Sequence, residues 1–503
     1  MNIFIVSSLG ILLTLASYPI NLFFLNILAF SGLLFFIEKS ASKKRHFLYG
    51  YGFGFCYFFT SLYWIPLPIL NFFNIGLLII PMMLLVPLIL AFFIGFLSLV
   101  TGFFNSNKIF MAISFSCLWV LIEYLRSNII FPFPWGLLGY SATSIMPLLQ
   151  FASIVGISGL SFFVALVSSA IFTRSFKYIL AIGLMFCSVY IYGYFRLENS
   201  KNLVEGSEKR EMIRIIQPNV KEERFDSINP QTQIYHKLLK LSNRYGIKNI
   251  DYIIWPEASL PIPVVIDDSI KSLLNEIKRK ENSKIIIGAD RIEKEKNDRY
   301  KQYNSLLVVN SFGEIISVYD KKILVPFGEY IPLNKVFPFI RKIAHSFKLG
   351  DFDVGDIDSS IKLDKKNHIL VSICSESIFD MSYYEKLDYN NLFMLNITND
   401  VWFRDSLEPY QHFNMSRVRA VEYGIPLVIA ANTGISGVID SFGRVLVKTD
   451  LNKEIIVDYN LPQKLASPTL YYKVNKLIIP SIIVIFLLVS AVYKTPYFMR
   501  KYI

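Results

Sequence analysis

Five stretches of this chain carry no charged residue: positions 1–37, 47–107, 127–173, 178–195 and 477–493. About 20 apolar residues cross the hydrocarbon of a bilayer as a helix, so these runs predict membrane spans. The first run breaks at Ser17-Tyr18-Pro19 and the second near Trp64-Ile65-Pro66-Leu67-Pro68, so each predicts two helices. Segments 109–126, 151–172, 178–195 and 477–493 bring the expected total to about eight transmembrane helices. The first run is too long for a secretory signal and lacks a basic start, and it is expected to be retained.

Between these runs the pattern changes. Short stretches rich in Val, Ile, Leu and aromatics recur at 212–217, 252–255, 284–287, 305–310, 369–373, 393–397 and 427–430, each ending at Pro, Gly, Asn or Asp, as buried strands do. Helical patterns lie at 232–245 and 268–280. Asn310-Ser311-Phe312-Gly313 and Asp440-Ser441-Phe442-Gly443 read as hairpin turns. The expected organisation is a helical membrane domain over 1–195 (about seven helices by span length), an α/β domain with a mixed sheet over 210–462, and a C-terminal membrane helix over 477–493. Charged linkers at 196–210 and 462–476 join them, and neither internal repeats nor low-complexity tracts are visible.

Composition agrees with this division. Only 18% of the 503 residues are charged while 53% are hydrophobic, against about 25% charged for soluble domains. With eight spans, Lys39, Lys43, Lys44, Arg45, Lys108, Arg174, Lys177, Lys494, Arg500 and Lys501 fall on one side, which the positive-inside rule makes cytoplasmic. The α/β domain then faces the other compartment, the periplasm in a Gram-negative cell. The net charge of +12 is largely accounted for by these loops at a membrane surface, and no nucleic-acid partner is implied.

Three of the four cysteines, Cys56, Cys117 and Cys187, lie in predicted spans, which leaves Cys374 alone in the α/β domain. It has no disulfide partner there, and no Cys/His spacing reads as a metal site. Glu257, Lys321 and Cys374 each stand just beyond a predicted strand, where side chains converge at one end of a sheet. Together they make an acyl-transfer set: a thiolate nucleophile, a carboxylate base to form it, and an ammonium to steady an oxyanion. Singly, each has an ordinary reading as a small buried hydrophobe, a helix-cap neighbour or a wet lysine beside Lys322.

The surroundings of these residues resemble the carbon-nitrogen hydrolase, or nitrilase, superfamily. Its blocks occur in order as Trp255-Pro256-Glu257, Tyr319-Asp320-Lys321 running to Leu324-Val325-Pro326-Phe327-Gly328-Glu329, and Ile373-Cys374-Ser375-Glu376. The resemblance implies a nitrilase-like αββα sandwich and a Glu257, Lys321, Cys374 triad. Lys321 is preferred to Lys322 by its spacing from the Tyr and the Pro. Further segments make the chain similar to the apolipoprotein N-acyltransferase branch over nearly its whole length. They include Gln217-Pro218-Asn219, Gly288-Ala289-Asp290, Tyr303-Asn304-Ser305, Asn399 through Phe403, Gln411-His412, and in the membrane part Trp119, Glu123, Arg126 and Phe133-Pro134-Trp135.

That resemblance implies a ping-pong reaction: a phospholipid acyl donor loads Cys374 as a thioester, and the α-amine of a diacylglyceryl-apolipoprotein takes the acyl group. It implies Glu329 and Glu376 as supports that orient Lys321 and the thiol. Phe225, Trp402 and Trp135 are candidates for guiding lipid chains. No metal or organic cofactor is implied, and the expected state is a monomer in the bacterial inner membrane with a periplasmic catalytic domain. Three departures stand out: Ser375 where the family has an aromatic, Arg404 where it has Gly after Trp-Phe, and Phe225 where it has Trp. Glu123 and Arg126, three apart, are neighbours on one helix face where a buried pair is tolerable, and a structural role is the alternative reading. The rival readings are a membrane-tethered amidase with water as acceptor, and a transporter or structural membrane protein that has lost catalysis.

Overall fold

The structure is a computed structural model that describes residues 2–68, 79–128, 132–200, 210–221, 230–264, 274, 276, 277, 279, 281–294, 300–326, 328–330, 352–356, 358–365, 367–380 and 389–502. Most of the expected helix 268–280 and the candidate Phe225 lie outside these residues. The chain divides into two compact units. One comprises Met1–Lys201, Ser406–Tyr423 and Pro468–Ile503, and the other Asn202–Asp405 and Gly424–Ser467.

The first unit is helical. Its initial helices are α1 (Asn2–Ala16), α2 (Leu25–Glu38), α3 (Lys43–Ser61), α4 (Ile79–Thr101), α5 (Lys108–Asn128), α6 (Ala152–Ser169) and α7 (Phe176–Asn199). The charge-free run 1–37 does split at Ser17, and among the described residues the run 47–107 is likewise divided between α3 and α4. Among the described residues, five segments are long and apolar enough to cross a membrane: Met83–Phe104, Lys108–Asn128, Ala152–Thr173, Phe176–Asn199 and Leu470–Tyr493. Asn2–Ala16 and Leu25–Glu38 are apolar but shorter. Exposed Leu180, Leu184 and Ile191 on α7 form an apolar surface that water would penalise and lipid would not.

The second unit is α/β. Strand β1 (Met212–Gln217) is followed by α8 (Pro230–Ser242), then β2 (Tyr252–Ile254), β3 (Leu260–Val264), β4 (Lys284–Lys294), β5 (Tyr300–Val309) and β6 (Ile315–Asp320). Further on come β7 (Ser360–Lys362), β8 (His368–Ile373), β9 (Met394–Thr398), β10 (Leu427–Ala431), β11 (Gly437–Ile439), β12 (Val445–Lys448) and β13 (Ile455–Asn460). One sheet runs β13-β1-β2-β4-β5-β6, with β3 also on β4, and the other runs β12-β11-β10-β9-β8-β7. The centres, β1-β2-β4 and β8-β9-β10, are parallel. Strands buried on both faces need apolar residues throughout, which is why the sequence shows runs rather than alternation there.

The two sheets share one core, in which Ile213, Ile215, Ile254, Ile286 and Leu306 meet Ile369, Val371, Ile373, Leu395, Ile397 and Val428. The outer face of the first sheet, with Ile253, Trp255, Ile285 and Ile287, is covered by Ile234, Leu238 and Leu241 of α8. Both hairpin turns form as expected: Asn310 Oδ1 accepts from the N–H groups of Phe312 and Glu314, and Asp440 Oδ1 from those of Phe442 and Arg444.

Two later helices, α9 (Glu408–Tyr423) and α10 (Leu470–Tyr502), fold with the helical unit. The polar residues of α9 make its contacts within that unit. Gln411 Oε1 accepts from the indole N–H groups of Trp64 and Trp135 at 3.2 and 2.7 Å, and Asn414 donates to Thr143 at 2.9 Å. Arg419 and Glu422 pair at 3.0 Å while both are buried. Glu422 also accepts the Ile157 N–H at 2.7 Å, where α6 breaks at Gly156 with φ +63°. A Cβ on Gly156 would lie 2.1 Å from the Tyr471 ring, so only glycine fits.

Glu123 and Arg126 are both buried, but each is committed to the loop that follows α5 rather than simply to the other. Glu123 accepts from Trp119 and the Leu138 N–H at 2.9 and 2.6 Å, and Arg126 donates to the carbonyls of Phe133 and Trp135 at 3.0 and 2.7 Å.

Candidate active site

Three strands deliver the candidate residues to one edge of the α/β unit. Trp255 continues β2, donating its backbone N–H to Ile286 at 2.8 Å and its indole N–H to Ser242 at 3.0 Å. Pro256 then turns the chain, and Glu257 emerges beyond the carboxyl end of the parallel strands. The turn passes so close to β4 that a Cβ on Gly288 would meet Pro256 O at 2.4 Å and Glu257 Cα at 2.6 Å.

Lys321 follows β6, which runs in the same direction as β4 because two antiparallel pairings separate them. Its N–H donates to Asn304 O and its carbonyl accepts from Gly355, both at 2.9 Å. The side chain is 1% exposed, with Nζ 2.8 Å from Glu329 Oε1 and 4.0 Å from Glu257 Oε1. Lys322 is only half-buried.

Cys374 directly follows β8 at φ +53°, a region that side-chain-bearing residues rarely occupy. Its carbonyl accepts from Asn396 Nδ2 at 3.0 Å, and its N-terminal neighbour Ile373 donates to Glu376 at 2.7 Å. Glu376 thus holds the backbone next to the thiol. Its carboxylate also takes the N–H groups of Lys322 and Ile323 at 2.7 and 3.0 Å and the Tyr319 hydroxyl at 3.0 Å. A fully buried carboxylate needs this many donors, and in gathering them it ties the loop carrying Lys321 to the turn carrying Cys374. Glu329 acts on Lys321 directly and also accepts the Val325 N–H at 2.8 Å.

The charges of the three groups are coupled. Burial lifts the Glu257 carboxyl to about 7; Glu329 and Asp400 add to the shift, while Lys321 and the Asn304 hydrogen bond oppose it. For Lys321, burial pulls the ammonium down, but the charges of Glu329, Cys374, Glu257 and Glu376 reverse this and hold it above its usual range. The Cys374 thiol is raised by burial and by Glu257, with Lys321 opposing. At rest the site is therefore a protonated thiol, a permanent cation and a carboxyl poised near neutrality, which is the condition a general base needs.

Beside Glu257 lies a cavity of about 290 Å³ lined by Pro218, Leu260, Asp290, Val401, Trp402 and neighbouring residues. Trp402 thus borders the site. Trp135 is buried in the helical unit, where its ring packs on Trp64 and its N–H is taken by Gln411. Ser375 is half-buried, and Arg404 adopts φ +50°, so an arginine holds the left-handed geometry that glycine would take at no cost. One residue near the triad had no role assigned from the sequence. Asn304 donates from Nδ2 to Glu257 Oε1 at 2.7 Å and to Glu329 Oε1 at 2.9 Å, and so fixes the two carboxylates relative to each other. Its place in the Tyr-Asn-Ser segment was visible, but its reach across the edge depends on the β4–β5 register.

Residues 9–170 match the sequence profile described as the apolipoprotein N-acyltransferase N-terminal domain, and residues 213–469 that of the carbon-nitrogen hydrolases, whose fold the α/β unit has. The apolipoprotein N-acyltransferase of Rickettsia prowazekii (strain Madrid E) is 35% identical over 477 residues, covering 92% of each chain. That of Rickettsia typhi is 34% identical over 480 residues, again covering 92% of each. The enzyme of the same description from Rhodopseudomonas palustris is 30% identical over 501 residues, covering 93% of this chain and 90% of its own.

Proposed function

Because the chain belongs to the apolipoprotein N-acyltransferase family, we propose that it moves an acyl chain from a phospholipid to the α-amine of a lipoprotein's N-terminal diacylglyceryl-cysteine. The reaction runs in two halves. Glu257 takes the Cys374 proton as the sulfur attacks the acyl ester, and Lys321 with its fixed positive charge faces the oxyanion. Glu257 then returns the proton to the departing lysophospholipid oxygen. In the second half the acceptor amine attacks the thioester, the carbon–sulfur bond breaks, and the thiol is restored. The observation that carries this reading is the buried Lys321 ammonium, 2.8 Å from Glu329 and 4.0 Å from Glu257 in the same charged cluster as Cys374.

The membrane setting follows from the substrates. Pulling a lipid chain into water costs about 0.8 kcal/mol per CH₂, so a lipid-consuming site belongs at a bilayer surface. The proposed arrangement has about eight spans by segment length, cations of the short loops in the cytoplasm, and the catalytic unit of a monomer on the periplasmic side of the inner membrane. The apolar helices and the one-sided cationic loops support it. Trp402 borders the site and is the candidate guide for the lipid chain.

The test is to incubate purified enzyme with phospholipid and search by mass spectrometry for an acyl group on Cys374 that hydroxylamine releases. The wild type is expected to carry it and Cys374→Ala to lack it. An unmodified Cys374 in enzyme that still consumes lipid would refute the proposal.

A further inference from the structure

Asp290 lines the cavity beside Glu257, and its surroundings are unusual for a half-buried carboxylate. Among the described residues none donates to it and no cation pairs with it. Burial, with the like charge of Glu329 adding to it, pushes its carboxyl up to about 6. In the β4–β5 ladder Asp290 stands directly opposite Asn304, so the two side chains leave the sheet on the same face.

Asn304 supplies an independent observation. Its NH₂ group is spent on Glu257 and Glu329, and this fixes the amide orientation, because the oxygen cannot face two carboxylates. The oxygen, Oδ1, is buried and has no partner among the described residues. A buried acceptor without a donor is costly. Two acceptors therefore stand side by side in the ladder next to the proposed catalytic carboxylate, and Asp290 and Glu257 themselves line a cavity whose walls are otherwise largely apolar. The chemistry that satisfies both is a primary ammonium, with three N–H donors and a positive charge.

We propose that Asp290 and the Asn304 carbonyl oxygen seat the α-ammonium of the acceptor lipoprotein, and that Asp290 removes one of the two protons it must lose. This rests on the acyltransferase reading above. The balance requires a second proton acceptor. The R–NH₃⁺ group first gives one proton to Asp290, and the lone pair of the R–NH₂ so formed attacks the thioester, so that a carbon–nitrogen bond forms and the carbon–sulfur bond breaks. Of the three ammonium protons, one stays on the amide nitrogen and one reaches the Cys374 sulfur through Glu257. The third goes to the Asp290 carboxylate, which releases it to water.

A second source of a primary ammonium is the head group of a phosphatidylethanolamine donor, and the experiment separates the two. Full-length wild type and Asp290→Asn are loaded from phosphatidylethanolamine or from phosphatidylglycerol in mixed micelles, then given a synthetic diacylglyceryl-cysteine peptide. The variant is expected to load Cys374 from both lipids and to accumulate the acyl-enzyme. Its KM for the peptide should rise about tenfold or more, the loss expected for one charge-assisted contact. Loading itself reports a folded site. A measurement on the wild type alone stands beside it: a peptide lacking the α-amine should bind at least about tenfold more weakly than its amine parent.

A variant KM within about twofold of wild type, equal binding of the two peptides to the wild type, or a defect confined to loading from phosphatidylethanolamine would each overturn the proposal. Loss of loading from both lipids in the variant would do the same. Failure of the wild type to load Cys374 would instead bring down the acyltransferase reading, and this inference with it.

Discussion

Asn304→Leu isolates the tuning of Glu257, the proposed general base. The substitution keeps roughly the side-chain volume but removes the Nδ2 donor, which lies 2.7 Å from Glu257 Oε1 and stabilises that group's ionised form. A hydrogen bond to a charged group is worth about 1.5–3 kcal/mol. The low end applies here, because the same donor group also serves Glu329 at 2.9 Å. Each unit of pKa corresponds to about 1.4 kcal/mol, so the Glu257 pKa should rise by about one unit. In the wild type a carboxyl at about 7 gives an acylation rate that climbs with pH through neutrality. About half the molecules carry the base at about pH 7 and about a tenth at about pH 6.

The sign follows from the charge form required. The raised pKa withholds the carboxylate below neutrality, so activity is lost on the acid side. In Asn304→Leu the acid limb should move up to about pH 8, and the rate at about pH 7 should fall about fivefold, with the alkaline plateau much less affected. The assay is single-turnover loading of Cys374 followed by mass spectrometry across the pH range. An acid limb that stays in place, or that moves to lower pH, would refute the argument that Asn304 favours the ionised base.

Two further outcomes test the scaffold. Gly288→Ala places a methyl 2.4 Å from Pro256 O and 2.6 Å from Glu257 Cα. It should displace the base and lower the loading rate at least about tenfold, since positioning errors near 1 Å cost this much or more, and thermal scanning should show the unit still folded. Arg214 is fully buried and donates to Asp458 and to the carbonyls of Ser242, Arg244 and Tyr245 at 2.6–2.8 Å. Arg214→Met leaves three carbonyls without their donor. It should cost about 3 kcal/mol, the low end for a broken buried pair because Asp458 is partly exposed; a denaturation midpoint unchanged from wild type would count against it.

Much of this molecule is local in origin, and those parts were legible from residue order. A helix crossing lipid needs only an unbroken apolar run, and a strand buried on both faces needs only a short one. The apolar helices broken at Ser17 and near Pro66, and strands such as 212–217, could therefore be read directly. Glu257, Lys321 and Cys374 were visible for a related reason: each follows its strand at once, so the chain itself carries it to the sheet edge. Tertiary structure decided what depends on partners distant in the chain. The grouping of α9 with the helices rests on Trp64, Trp135 and Thr143, hundreds of positions away, which satisfy polar residues that would otherwise read as a wet surface. The bonds of Glu376, and the side-by-side placement of Asp290 and Asn304, arise from loop closure and strand register. Hydrogen-bond partners are set by proximity in space, and residue spacing along the chain does not encode it.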